Sequence, residues 1–385
     1  MVFYTPWVGA MLARTPCLPP GGAETQVLSI ARALVRHKAS AAIIAYGEPD
    51  DLPSSIDGVT IVARPAYRKK RIIGKFLEAF YVWRALWQAP SRAVVLRGAS
   101  IELGLAGIYA RLARRQLVFS TASVGDFDIA KLMSKRRDML IYRAGVRLAN
   151  AIVVQTEEQV AMCRASFGRD ARLIKSIAMV GQAQSGHPEA FLWVGRLVSY
   201  KRPLEYVALA RSLPEARFWM VGVPSPGPAS ADVELIEKVR VAAAELKNLE
   251  LLAPRPHDEI EELMARAVAS VNTADFEGMP NVLLEAWSRG VPALALHHDP
   301  DRVIQTHGLG GFAGGSRETL INLAREQWEE RDERDAVADR CRNYITIHHS
   351  ADHVVGLWSE AIFGARQGTE APAAEAPGEI TCAAS

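Results

Sequence analysis

Strand-like runs alternate with helix-like runs through nearly the whole of this 385-residue chain, and that alternation restricts it to helices layered on parallel sheets. In the first half, strands fall at 1–5, 41–45, 59–63, 93–96, 116–120, 151–154 and 172–178. Helices at 23–37, 73–89, 101–114, 134–149 and 157–167 lie between them. A polar joint, GQAQSGHPE (181–189), interrupts the pattern, which then restarts. Strands at 191–194, 216–221, 249–252, 268–271 and 292–296 alternate with helices at 203–212, 232–246, 257–266 and 280–289; helices near 316–345 and 350–364 end it. The length is enough for two cores of ordinary size. The expected architecture is α/β: two Rossmann-like, doubly wound domains, 1–180 and 187–345, facing a central cleft with ligands at the carboxyl ends of the strands. Residues 366–385, rich in Ala, Pro and Glu, are expected to be disordered.

Hydrophobic residues make up 49% of the chain and charged ones 23%, a globular balance. The longest apolar runs fall short of the roughly 20 residues that span a bilayer. The N-terminus, MVFYTPWVGAMLARTP, lacks the basic start of a signal peptide. A strand that opens at Met1 leaves room for a start further upstream. Cys17, Cys163, Cys341 and Cys382 lack metal-ligand spacing and read as cytosolic thiols. Net charge is only +2, but residues 1–185 hold 26 Lys/Arg against 13 Asp/Glu, whereas the remainder holds 19 against 30. That polarity argues that the first half faces something anionic. Nucleic acid is not the expected partner, because no recognition module is evident.

The most specific chemistry lies in residues 269–296, ASVNTADFEGMPNVLLEAWSRGVPALAL. Glu277 and Glu285, one before a helix start and one inside it, suit a neutral ligand bearing hydroxyls. Pro280 fits the first helical position. The free amides of Asn281 and Val282 then sit where a helix N-terminus attracts phosphate. In AFLWVGRLVSYKRP (190–203) Gly195 lets backbone approach a ligand, and Arg196 and Lys201 supply a planar fork and a point charge suited to a diphosphate. In PPGGAETQVLSIARAL (19–34) Gly21 and Gly22 permit a tight loop before a helix. Neither a dinucleotide fingerprint nor a P-loop is present.

These segments resemble the retaining glycosyltransferases of family 4, the group 1 glycosyltransferases that include glycogen synthase and mannosyltransferase-like enzymes. EGMPNVLLE resembles their Glu-x7-Glu signature, GRLVSYK their Gly-Arg-Leu…Lys motif, and GGAE their N-terminal Gly-Gly-x-Glu loop, with Glu24 matching its closing acid. The resemblance implies a GT-B fold whose last helix, within 346–365, crosses back to the first domain. It implies transfer of a sugar from a nucleotide-sugar donor to an acceptor hydroxyl. Arg196 and Lys201 would neutralise the leaving diphosphate, Glu277 would hold the donor sugar and Glu285 the ribose. Gly21, Gly22, Gly195, Gly278, Met279, Pro280, Asn281 and Val282 would complete the donor site, with no metal and no cofactor. Related enzymes often carry a His or Asp facing the acceptor after the strand that leads into VFSTASVGDFD (118–128). No His is present there, so Asp126 is the candidate, with Asp128 second and a structural loop acid the competing reading. A nucleotide-sugar epimerase of the same architecture, or a non-catalytic nucleotide-sugar-binding protein, are the alternatives.

Residues 67–87, YRKKRIIGKFLEAFYVWRALW, join a basic cluster to a helix with Ile72, Ile73, Phe76, Phe80, Trp83 and Trp87. KLMSKRRDMLIYRAGVR (131–147) adds further basic charge. Both suit a helix lying on an anionic membrane surface. A lipid-linked or glycan acceptor at the inner face of the cell membrane, in bacterial surface-polysaccharide or lipopolysaccharide assembly, is the expected setting. The DPD at 299–301 is read as a structural loop without metal, and the pairs His297-His298 and His348-His349 as surface residues. GLGGFAGG (308–315) is read as a flexible loop of no assigned purpose.

Overall fold

The computed structural model describes residues 1–13, 22–65, 72–89, 91–179, 181, 187–223 and 230–363. Gly21, the basic residues 67–71 and the 366–385 tail lie outside the described residues.

The first sheet contains β1 (Val2–Tyr4), β2 (Ala42–Tyr46), β3 (Ser55–Ile56), β4 (Val59–Arg64), β5 (Ala93–Arg97), β6 (Gln116–Ser120), β7 (Ala151–Val154) and β8 (Arg172–Leu173). Their order is β3-β4-β2-β1-β5-β6-β7-β8, parallel except for the β3–β4 pair. The second sheet contains β9 (Ala190–Arg196), β10 (Phe218–Val223), β11 (Leu249–Leu252), β12 (Ala267–Asn272), β13 (Ala293–Ala295) and β14 (Gly310–Phe312), ordered β11-β10-β9-β12-β13-β14 and parallel throughout. In each sheet the opening strand lies in the middle and the order reverses beside it. That reversal, between β1 and β5 and again between β9 and β12, opens a crevice at the strand ends where ligands bind. Central strands such as β1 and β12 are buried along their whole length, because helices cover both faces. The helix Gly22–Arg36 shows the matching pattern, burying Val27, Ile30, Ala31 and Leu34 at helical spacing.

The helix Ala351–Phe363 returns to the first domain, where Val354, Val355, Trp358, Ala361 and Ile362 join the core built on Phe3, Val27 and Ile30. Trp358 meets Phe3 edge-on at 6.2 Å. The chain crosses over on two segments, and Ala178 N–H donates to His349 O at 3.0 Å between them. Gln26 holds one crossing segment by both ends of its amide, donating to Ile177 O at 2.9 Å and accepting from Ile177 N–H at 3.0 Å.

Several expectations change. The 172–178 strand pairs only at Arg172–Leu173. The 316–345 run is two helices, Arg317–Glu329 and Asp335–His349. The glycine loop at 308–315 contains the edge strand β14. Gly310, at φ 138°, lies so close to β13 that a Cβ there would stand 1.9 Å from Ala293 O, so the glycines serve close strand approach.

Candidate active site

At the second domain's switch point, β9 ends in Gly195 and Arg196 while β12 leads to Glu277. Arg196 is exposed at the strand end and donates to the Tyr200 hydroxyl at 3.2 Å. Tyr200 in turn stacks on Phe276, with ring centroids 5.3 Å apart. Lys201 forms an ion pair with Glu277. The loops carrying these two residues are sewn together: Thr273 Oγ1 donates to Lys201 O at 2.7 Å and accepts from Trp193 Nε1 at 3.0 Å, and Asp275 N–H donates to Tyr200 O at 2.8 Å. Arg202, held at φ 47°, adds an ion pair to Asp275 at 2.6 Å. Such mutual bracing fixes charged groups before a ligand arrives, which is what electrostatic stabilisation of a leaving group requires.

Past Glu277 and Gly278 the chain enters the helix Asn281–Ser288. Pro280 is the N-cap and not the first helical residue: its ψ of 123° is extended, while its carbonyl accepts from Leu283 N–H at 3.1 Å. The amides of Asn281 and Val282 are thus among those a helix leaves without intrahelical acceptors. Leu283, Leu284 and Trp287 anchor the helix in the core, as does Met279 just before it. Glu285 is half-buried on the other face. Burial pushes its carboxyl above the usual range, against the pull of His257 and Arg289 and with the push of Glu261.

The first domain reaches this helix directly. Asn281 Nδ2 donates to Gly22 O at 2.8 Å, and its Oδ1 accepts from Gln26 at 3.1 Å. A Cβ on Gly22 would come within 2.9 Å of Asn281 Nδ2, so glycine allows this approach. Gly278 faces Gln159 and the Ala122 carbonyl of the first domain; a Cβ there would lie 3.2 and 3.7 Å from them. Gly22, Gly278 and Asn281 therefore line one seam between the domains.

Asp126, the candidate for acceptor chemistry, holds its own loop. Its carboxylate accepts from Ala122 N–H at 2.5 Å, Ala99 N–H at 3.1 Å and Ser123 N–H at 3.2 Å, and the residue is buried. Burial raises its carboxyl, and these donors pull it back. The carboxylate is spent on backbone. In the DPD loop Asp299 accepts from Ile304 N–H at 2.9 Å, whereas Asp301 reaches across to Glu157 N–H at 3.0 Å and caps a first-domain helix. His349 is not a surface residue. It is fully buried, donates from Nδ1 to Ser176 O at 2.7 Å, and is driven by burial down to about 3. His297 and His298 lie part-buried beside the loop that carries Glu277 and Gly278, His298 within 3.4 Å of Gly278 O. Among the described residues no group of three His, Cys, Asp or Glu is arranged to hold a metal ion.

Residues 21–175 match the family described as glycosyl transferase 4-like domain, and residues 179–343 match the glycosyl transferases group 1. The chain is a group 1 glycosyltransferase. No protein of curated function matches its sequence. Among solved structures this glycosyltransferase is similar to sucrose-phosphate synthase from Thermosynechococcus elongatus, with a TM-score of 0.72 at 14% identity over 94% of this chain and 99% of that one. It is also similar to Anabaena HepE in complex with UDP and glucose, with a TM-score of 0.71 at 16% identity over 93% and 98%. A lipopolysaccharide outer core galactosyltransferase, WaaB, matches with a TM-score of 0.64 at 14% identity over 94% and 99%. At these identities the likeness establishes the GT-B fold.

Sequence reasoning missed Gln26, Thr273 and Arg97. Only Arg97 carried a readable signal, as the charge that ends the apolar strand AVVLR.

Proposed function

We propose that this glycosyltransferase is a retaining hexosyltransferase that takes a UDP- or GDP-sugar and transfers the sugar to a hydroxyl of a glycan or lipid-linked acceptor. The observation that carries this reading is the placing of Arg196, Lys201 and Glu277 at one switch point, next to the helix that carries Glu285 and whose N-terminus Gly22 of the facing domain touches. The donor diphosphate lies against Arg196, Lys201 and the amides of Asn281 and Val282. Glu277 holds hydroxyls of the sugar being moved and Glu285 those of the ribose. As the bond from the anomeric carbon to the diphosphate oxygen breaks, its electron pair stays on the phosphate, where the two cations stabilise it. The acceptor oxygen bonds to the same face of that carbon and gives its proton to the departing diphosphate. Catalysis is then charge stabilisation plus positioning, and two fixed cations supply what a divalent metal would.

The setting we propose is bacterial surface-polysaccharide or lipopolysaccharide assembly, on the cytoplasmic face of an anionic membrane. Supporting it, the helix Ile72–Gln88 exposes Phe80, Arg84 and Trp87 at helical spacing, and the neighbouring helices expose Ile108, Leu112, Leu140, Arg111, Arg143 and Arg147. Trp83, by contrast, faces inward and donates to Leu105 O at 3.0 Å. No helix among the described residues is long and apolar enough to cross a membrane. The similar structures, HepE with UDP-glucose and a lipopolysaccharide galactosyltransferase, support the same setting.

A melting-shift screen across UDP-, GDP- and ADP-sugars tests the donor, followed by NMR of the product's anomeric carbon. Stabilisation by a UDP- or GDP-sugar and retained configuration are expected. An inverted product overturns the mechanism, and release of an isomerised sugar without acceptor favours an epimerase.

A further inference from the structure

The first sheet has its own switch point, between β1 and β5, and the residue at the end of β5 there is Arg97. We propose that Arg97 binds an oxyanion, phosphoryl or carboxylate, carried by the acceptor. This rests on the glycosyltransferase reading above and specifies the acceptor's chemistry.

Arg97 is a charge without a counter-charge. Among the described residues no acid lies within ion-pair distance of it. Asp126 and Glu24 influence it only at longer range, and Asp126 has already committed both carboxylate oxygens to three backbone amides. Among the described residues, the polar group recorded against the guanidinium is the side-chain amide of Gln155, whose oxygen accepts from it when the amide is turned towards it. Nε is buried and has no partner. A guanidinium offers five donors in a planar fork suited to a two-oxygen anion, and one neutral amide leaves most of that fork unused. Desolvation brings the group down to about 10, against the pull of Asp126 and Glu24. Burying a cation this way costs stability unless an anion joins it. The residue nevertheless keeps part of its surface open.

Its position separates it from the donor phosphates. Arg196 and Lys201 stand on the other domain. Between them and Arg97 lies the seam where Gly278 faces Gln155; a Cβ on Gly278 would be 3.7 Å from the end of the Gln155 amide turned away from Arg97. An anion on Arg97 would therefore sit on the first-domain side of the loop that carries Gly278.

The test uses the full chain loaded with saturating UDP, or GDP if that is the diphosphate it binds, so that the donor phosphate site is filled. Inorganic phosphate, glucose 6-phosphate and glucuronate are then titrated calorimetrically, which separates phosphoryl from carboxylate and free from sugar-borne anion. At least one should bind the loaded wild type, and Arg97→Gln should weaken it about tenfold or more, the effect of losing a charged hydrogen-bond donor. Arg97→Lys should restore part of the affinity. The melting temperature of Arg97→Gln without anion should stay level or rise. The proposal is overturned if none of the three binds, or if Arg97→Gln binds as wild type does. It is also overturned if Arg97→Gln weakens UDP or GDP itself, which would assign Arg97 to the donor. Failure of the wild type to bind either nucleoside diphosphate sinks the glycosyltransferase donor assignment, and this inference with it.

Discussion

Lys201 and Glu277 form an ion pair whose side chains are only 17% and 13% exposed, joining the loops after β9 and β12. The cation assigned to the leaving group and the acid assigned to the sugar are thus each other's counter-ion until the donor enters. Removing either leaves the other largely buried and unpaired. Lys201→Ala should therefore lower turnover by orders of magnitude and also destabilise the fold by about 2 kcal/mol. Lys201→Met with Glu277→Leu should recover the stability but not the transfer. Arg196→Ala, exposed at the strand end, should lose turnover with melting unchanged. Near-wild-type transfer by both single variants would remove the diphosphate assignment.

Glu285 and Glu277 should separate by readout. Glu285→Ala is expected to weaken binding of free nucleoside diphosphate. Glu277→Ala should impair transfer more than it impairs that binding, because the role proposed for its acid is to hold the sugar. Calorimetry with UDP and GDP decides, and unchanged affinity in both variants would end the ribose role.

His349 makes the crossover between domains sensitive to acid. Its native form is neutral, held down to about 3 by burial, whereas an unfolded histidine titrates near 6.5. Above pH 6.5 both states are neutral and its contribution is fully present. As pH falls from 6.5 towards 3, the unfolded chain takes up a proton that the native one does not, so stability is lost. The wild type should lose more melting temperature between pH 7 and pH 5 than His349→Gln does. Parallel curves would show that the buried ring does not control this loss.

Membrane attachment through the first domain should depend on salt. Each Lys or Arg near an anionic surface contributes ~1 kcal/mol, screened within a Debye length. Co-sedimentation with phosphatidylglycerol vesicles should fall steeply as salt rises, and further on Phe80→Ser with Trp87→Ser. Equal binding to neutral vesicles, or none to either kind, would exclude an electrostatic membrane site.

Much of the fold was legible because its signals are local. Apolar strands and amphipathic helices alternate, and EGMPNVLLE keeps its two acids and helix start within nine residues. What escaped depends on contacts between distant parts of the chain. Asp126 looks like a free loop acid until Ala99 and Ala122 are seen to donate to it. His349 looks exposed beside His348 until the crossing segment at Ser176 covers it. Pro280 shifted by one position because helix ends are set by cap dihedrals that a proline permits on either side.

The return of the helix Ala351–Phe363 to the first core sets an order on biosynthesis. A ribosome finishes residues 1–180 long before Trp358 exists, so the earliest domain emerges with the seat for that side chain open beside Phe3. The later domain fills β9 to β14 from consecutive chain and builds its core without that last helix. A chain cut after residue 349 should accordingly keep its second domain folded while its first exposes apolar surface to chaperones and proteases.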